Sequence, residues 1–175
     1  MTDVCRVGDN TLDKKTVPIV FVPGVMGSRL HFTDIGEFWN PDSKWDMMHW
    51  LRVSYERCAD EFHFEAPAEV MNNKAAGTLS PEERGRGWEG VSWEFYVPFL
   101  RYLNNQVFPS ADTPVYARGY DWRQSNSLSG VTLANQIHEI LELEEAEKVI
   151  ICTHSMGGLL QAAHLQLIDV FLLGQ

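Results

Sequence analysis

Two stretches of this chain are apolar at almost every position and rich in β-branched residues. They are Val17-Pro18-Ile19-Val20-Phe21-Val22 and, after Lys148, Val149-Ile150-Ile151-Cys152. A strand with one wet face alternates polar and apolar residues. A run without alternation is covered on both faces, the pattern of a parallel sheet between helix layers. Each run stops at a glycine turn, Pro23-Gly24 in the first case and Ser155-Met156-Gly157-Gly158 in the second. Between them a further strand is expected over Pro114 to Tyr120. An amphipathic helix should follow Ser129-Gly130, with apolar residues at Leu133, Ala134, Ile137, Ile140 and Leu141 at 3–4 spacing. Ser92 reads as the cap of an earlier helix through Phe99 to Leu103, which Pro98 should either start or kink. Asp169 to Leu173 reads as a last strand. Strands alternating with helices imply βαβ units, a parallel sheet and right-handed crossovers.

The interval from about residue 29 to 90 shows no clean period. It holds Trp39, Trp45, Trp50 and Trp88 with His31, His49 and His63, and is too long for a bare loop. It reads as an irregular, cap-like insertion with short helices, one near Trp45 to Arg57. Ser80-Pro81-Glu82-Glu83 is a helix start, serine as cap and proline in the first turn. Its indoles fit either a lid that touches lipid or a satellite core. Residues 1–15 read as a polar leader, and 16–175 as one partial domain, which suits a chain of 175 residues.

Composition narrows the partners. Lys and Arg total 14 against 24 Asp and Glu, a formal charge of -10. That balance repels phosphate backbones, so no nucleic-acid partner is expected. Cys5, Cys58 and Cys152 are too few and too scattered for a disulfide framework or a zinc ribbon. No His-x-x-x-His spacing or mixed Asp/His cluster suggests a metal, and no cofactor is expected. The N-terminus shows neither a basic start nor an apolar core of a signal peptide, which favours the cytoplasm, although export without a cleaved signal would leave no mark. No apolar run approaches the length of a membrane span.

Thr153-His154-Ser155-Met156-Gly157 carries the sharpest chemical signal. It follows a buried strand, opens a helix, and is nearly the Gly-x-Ser-x-Gly nucleophile elbow, with Thr153 where glycine usually stands. So sharp a turn needs small residues on either side of the serine and lifts its hydroxyl above the sheet. The Met156 N–H can then face a developing oxyanion. The loop after the first strand, Pro23-Gly24-Val25-Met26-Gly27-Ser28, can bring a second N–H, that of Val25, to the same place. Asp121 and Arg123 look like a structural ion pair rather than catalysts, because burial demands pairing.

The segments Pro18 to Ser28, Tyr120-Asp121-Trp122-Arg123 and Thr153 to Gly158 together resemble the lecithin:cholesterol acyltransferase-like lipases and esterases of the α/β-hydrolase superfamily. The resemblance runs over roughly residues 16–175. It implies the N-terminal half of an α/β-hydrolase, a mostly parallel sheet flanked by helices. It implies hydrolysis or transfer of an acyl ester, usually from a lipid, through an acyl-serine. Ser155 would be the nucleophile, and the N–H groups of Val25 and Met156 the oxyanion hole.

A serine hydrolase of this fold carries its acid and histidine after the serine. Only His164 and Asp169 follow Ser155 here, and neither fits. His164 should lie far down the helix that leaves the elbow, and Asp169 at the wrong end of a strand. His154 sits beside the serine, where side chains on a sharp turn point apart. His31, His49, His63 and His138 precede the elbow. The expectation is therefore a truncated chain that is inactive alone and self-associates through an open sheet edge. The alternative is a non-catalytic lipid-binding or interaction remnant of the same fold.

Overall fold

The structure is a computed structural model and describes residues 15–34, 36–39, 48, 52, 67–71, 79–106, 108 and 110–162. Its centre is a parallel sheet. Strand β2 (Ile19–Val22) lies between β7 (Val115–Ala117) and β8 (Ile150–Thr153), parallel to both. Below it, the two-residue strands β1 (Lys15–Thr16) and β6 (Ala111–Asp112) pair in the same register, Lys15 opposite Ala111 as Ile19 is opposite Val115. The two ladders are one, interrupted where Pro18 faces Pro114. Neither proline costs a bond there, because Ile19 N–H donates to the Pro114 carbonyl and Ile150 N–H to that of Pro18.

All four residues of β2 are buried, as expected of a run without alternation, whereas β8, the other such run, is not: Ile150 is 50% exposed and the next three residues are half-buried, because among the described residues only β2 pairs with it. Ile19 and Phe21 face one layer with Leu79, Trp88, Val97 and Leu100. Val20 and Val22 face the other with Leu133, Ile137, Ile140 and Leu160. The first layer contains α1 (Pro81–Gly85) and α2 (Trp93–Asn104). The second contains α3 (Asn126–Leu143) and the helix that leaves the elbow, α4, described from 157 to 162. Helices on both faces of a parallel sheet, joined strand to helix to strand, make this the α/β fold expected from sequence.

Ser80 caps α1 as expected, in a full capping box. Its hydroxyl accepts from Glu83 N–H at 3.1 Å, and the Glu83 carboxylate accepts from Ser80 N–H at 2.7 Å. One helix start agrees with expectation and one differs. Helix α2 begins at Trp93 directly after its N-cap Ser92, as expected, although Ser92 makes no side-chain capping bond, and it carries Pro98 exposed in its interior rather than at its start. Helix α3 begins at Asn126, not after Ser129-Gly130. Ser125 caps it by accepting from Leu128 N–H at 3.3 Å, and Ser129 and Gly130 are buried within its first turns.

The insertion contains an element that no sequence period announced. Strands β3 (Leu30–Phe32), β4 (Glu37–Trp39) and β5 (Ala68–Val70) form an antiparallel sheet in the order β4-β3-β5. Trp39 and Trp88 are core residues, each anchored by its indole N–H, Trp39 on the Met26 carbonyl at 3.1 Å and Trp88 on that of Val115 at 2.8 Å. For these two rings the satellite-core reading holds. Trp45, Trp50, His49, His63, Cys5, Cys58 and the expected helix near 45–57 lie outside the described residues, apart from Met48 and Arg52. So do the first fourteen residues, His164, Asp169 and the expected strand at 169–173, and with that strand the open edge it was expected to leave. Among the described residues no helix is long and apolar enough to cross a membrane.

Candidate active site

The site follows from the register of the sheet. Val22 is opposite Thr153, so the loops leaving β2 and β8 emerge side by side at one end. His154 N–H donates to the Val22 carbonyl at 3.0 Å, and the chain then reverses into α4. Ser155 sits at the tip with φ 51°, in the left-handed region that L-residues other than glycine seldom occupy. Its side chain is exposed, and its hydroxyl makes no hydrogen bond with any described residue.

Gly157 shows why the turn needs glycine after the serine. A Cβ there would sit 2.7 Å from both the Val22 and the Pro23 carbonyl oxygens, and backbone cannot step aside. Before the serine the restriction is absent. Thr153 ends β8 half-buried, and a Cβ on its neighbour Gly158 would come no nearer than 3.5 Å to the Thr153 hydroxyl, an ordinary contact. The threonine that departs from the motif stands opposite Val22 in the register of the sheet.

The first loop is pressed onto the elbow. A Cβ on Gly24 would lie 2.9 Å from His154 Nδ1 and 3.0 Å from Ser155 Cβ. Gly27 N–H closes the loop on the Gly24 carbonyl at 3.1 Å, and Met26 takes φ 62° between them. Ser92 N–H donates to the Gly27 carbonyl at 2.9 Å, and the Ser28 hydroxyl accepts from Tyr120 N–H at 2.9 Å. Val25 and Met156, the two expected N–H donors, thus stand on adjacent turns. Neither N–H is taken by a described residue. Met156 lies at the N-terminus of α4, where Gly157, Gly158, Leu159 and Leu160 N–H groups already turn back to carbonyls of the same turn. Free N–H groups at a helix start suit an anion.

Tyr96, which sequence reasoning passed over, joins both turns. Its hydroxyl accepts from Gly24 N–H at 3.3 Å and lies 3.0 Å from His154 Nδ1. Burial pushes its phenol above the usual pKa, opposed by the Gly24 N–H. Tyr120, buried near the end of β7, is pushed up to about 12 by burial and secondarily by the charge Tyr96 would carry. Gly24 and Gly27 leave room for this contact, which nothing in the sequence announced.

Asp121 and Arg123 form the expected ion pair. Arg123 donates from Nη2 to Asp121 Oδ2 at 2.7 Å and from Nε to Oδ1 at 2.8 Å, with both side chains under a tenth exposed. The described histidines do not offer a base to Ser155. His154 Nδ1 faces Tyr96, His31 stacks on Phe38 in the antiparallel sheet at 4.6 Å, and His138 pairs with Glu142 on the outer surface of α3. Among the described residues, no group of three His, Cys, Asp or Glu side chains could hold a metal.

Comparison with known proteins bears on the fold. Residues 96–169, from Tyr96 through the elbow, match the family model described as lecithin:cholesterol acyltransferase. No curated protein matches. Among solved structures, a chain in "The crystal structure of Tle4-Tli4 complex" superposes with a TM-score of 0.60 over 88% of this chain at 22% identity. This chain spans 43% of that one's length. The parallel sheet between two helix layers and this superposition show an α/β fold, and over residues 96–169 the chain is similar to the lecithin:cholesterol acyltransferase family.

Proposed function

We propose that the chain carries the nucleophile and oxyanion hole of a serine esterase or O-acyltransferase that acts on lipid or other carboxylic esters. The observation that carries this reading is Ser155 itself. A serine held at φ 51° on an exposed turn, with its hydroxyl committed to no partner, is strain without a structural use. In the proposed reaction Ser155 Oγ bonds to the ester carbonyl carbon while its proton passes to a base. The carbonyl oxygen takes the negative charge and receives the Val25 and Met156 N–H groups. The intermediate collapses, the alcohol leaves with the proton, and the acyl group stays on Ser155 until water or a second alcohol removes it. The base is not one of the histidines at 31, 138 or 154, so this chemistry needs a histidine from outside the described residues.

The test is labelling with an alkyl fluorophosphonate followed by peptide mapping. Label at Ser155, absent from Ser155→Ala, is the expected result. A folded chain, checked by circular dichroism, that takes no label even with imidazole added as an external base would overturn the reading. Flotation of that chain with phosphatidylcholine vesicles would then support a non-catalytic lipid-binding module.

A further inference from the structure

Three elements far apart in the sequence meet at one hydroxyl. Tyr96 lies in the first turns of α2, with its ring against Phe21 at 4.9 Å between centroids and edge-on to His154 at 5.8 Å. Its oxygen accepts the Gly24 N–H and stands 3.0 Å from His154 Nδ1. Both loop glycines make room for this arrangement. A Cβ on Gly27 would fall 2.7 Å from the Tyr96 oxygen, and one on Gly24 would fall 2.9 Å from His154 Nδ1. A phenol has one proton to give and lone pairs to accept with. With Gly24 N–H on a lone pair, the phenol proton is available for His154 Nδ1 in the tautomer that carries its proton on Nε2.

We propose that Tyr96 is a positioning residue that sets the spacing between the two oxyanion donors. Gly24 immediately precedes Val25, and His154 and Ser155 immediately precede Met156. The hydroxyl thus ties the backbone of one donor turn to the side chain of the other, so the two N–H groups hold one geometry rather than drifting with their separate loops. An oxyanion hole works only when its donors are fixed before charge develops. This inference rests on the reading of Ser155, Val25 and Met156 given above.

The experiment uses the full chain with ¹⁵N-labelled histidine and glycine. In the parent, the His154 Nδ1 resonance should be that of an unprotonated, hydrogen-bonded nitrogen. Tyr96→Phe keeps the ring on Phe21 and removes only the tie. It should shift both Nδ1 and the Gly24 amide, and slow fluorophosphonate labelling of Ser155 about tenfold. His154→Leu, at an exposed position, cuts the same tie from the other side without touching α2, and should slow labelling in the same direction. Labelling at the parent rate in both variants overturns the proposal while leaving the serine reading intact. An Nδ1 resonance that Tyr96→Phe does not move overturns it as well. A parent chain that takes no label overturns the serine reading instead, which is recognised because the failure precedes any substitution.

Discussion

Met26 and Ser155 are a natural experiment in what backbone strain is for. Both are non-glycine residues held at positive φ, 62° and 51°, on turns that leave neighbouring strands at the same end of the sheet. Around Met26 the strain is tied down. Its carbonyl accepts the Trp39 indole N–H, its side chain packs on the core, and the flanking glycines brace the loop against Tyr96 and α2. Around Ser155 the backbone is just as constrained, by Gly157 wedged under the Val22 and Pro23 carbonyls, yet the side chain is exposed and unbonded. A third such residue, Glu145 at φ 48°, follows the C-terminal cap of α3, where left-handed geometry simply ends a helix. Positive φ is therefore no mark of chemistry by itself. What separates Ser155 is strain that leaves a hydroxyl exposed to solvent and unbonded to any described residue.

The comparison can be broken most forcefully at the wedge. Gly157→Ala should cost about 3 kcal/mol, because overpacking against two backbone carbonyls cannot be relieved by a rotamer change. Chemical denaturation measures it, and a loss under about 1 kcal/mol would mean that the elbow is softer than its contacts imply. A smaller effect sharpens the contrast between the two turns. Ser155→Gly relieves left-handed strain and deletes an exposed side chain, so it should raise stability by about 0.5–1 kcal/mol. Met26→Gly relieves similar strain but gives up core packing, and should lower stability by about 1 kcal/mol. Equal signs for the two variants would refute the distinction drawn here.

The smallest effect concerns the support that α2 gives both turns. Arg101 of α2 donates to the Glu83 carboxylate of α1 at 2.9 Å, and that bond, with help from Ser80 N–H, holds the Glu83 carboxyl below its ordinary value of 4.5. A carboxyl with a lowered folded-state pKa stabilises above its unfolded value and loses that contribution as the pH falls through the folded one. Glu83→Gln should therefore cost about 0.5 kcal/mol at neutral pH, the scale of a half-exposed pair, and nothing in strong acid. Thermal melts of both proteins between pH 7 and pH 2 read the convergence.

What could be read from sequence alone was whatever is local. The unbroken apolar runs at 17–22 and 149–152, the serine cap at Ser80 and the turn at Ser155 each declare themselves within a few residues, because pleat, cap and elbow are short-range geometries. The antiparallel sheet was hidden. Its strands are three residues long, too short for a period, and β3 finds β5 across an interval of more than thirty residues. The start of α3 was misplaced because Ser125 and Ser129 offer the same capping chemistry four residues apart, and only the burial of Ser129 separates them. Tyr96 was missed for a related reason. Its partners, Gly24 and His154, are 72 and 58 positions away, so the tie belongs to the tertiary structure.

The position of β2 also bears on how the chain is made. Among the described strands it lies between two that are both translated after it: Ile19 pairs with Val115 on one side and Ile150 on the other. At about 5–20 residues per second, the first of those neighbours is synthesised roughly 5–20 s after β2 and the second later still. Throughout that interval Ile19-Val20-Phe21-Val22, fully buried in the finished fold, has neither of these two strands to pair with. The residues that lead into the Pro23 to Ser28 loop are thus, during synthesis, an exposed apolar segment suited to a chaperone.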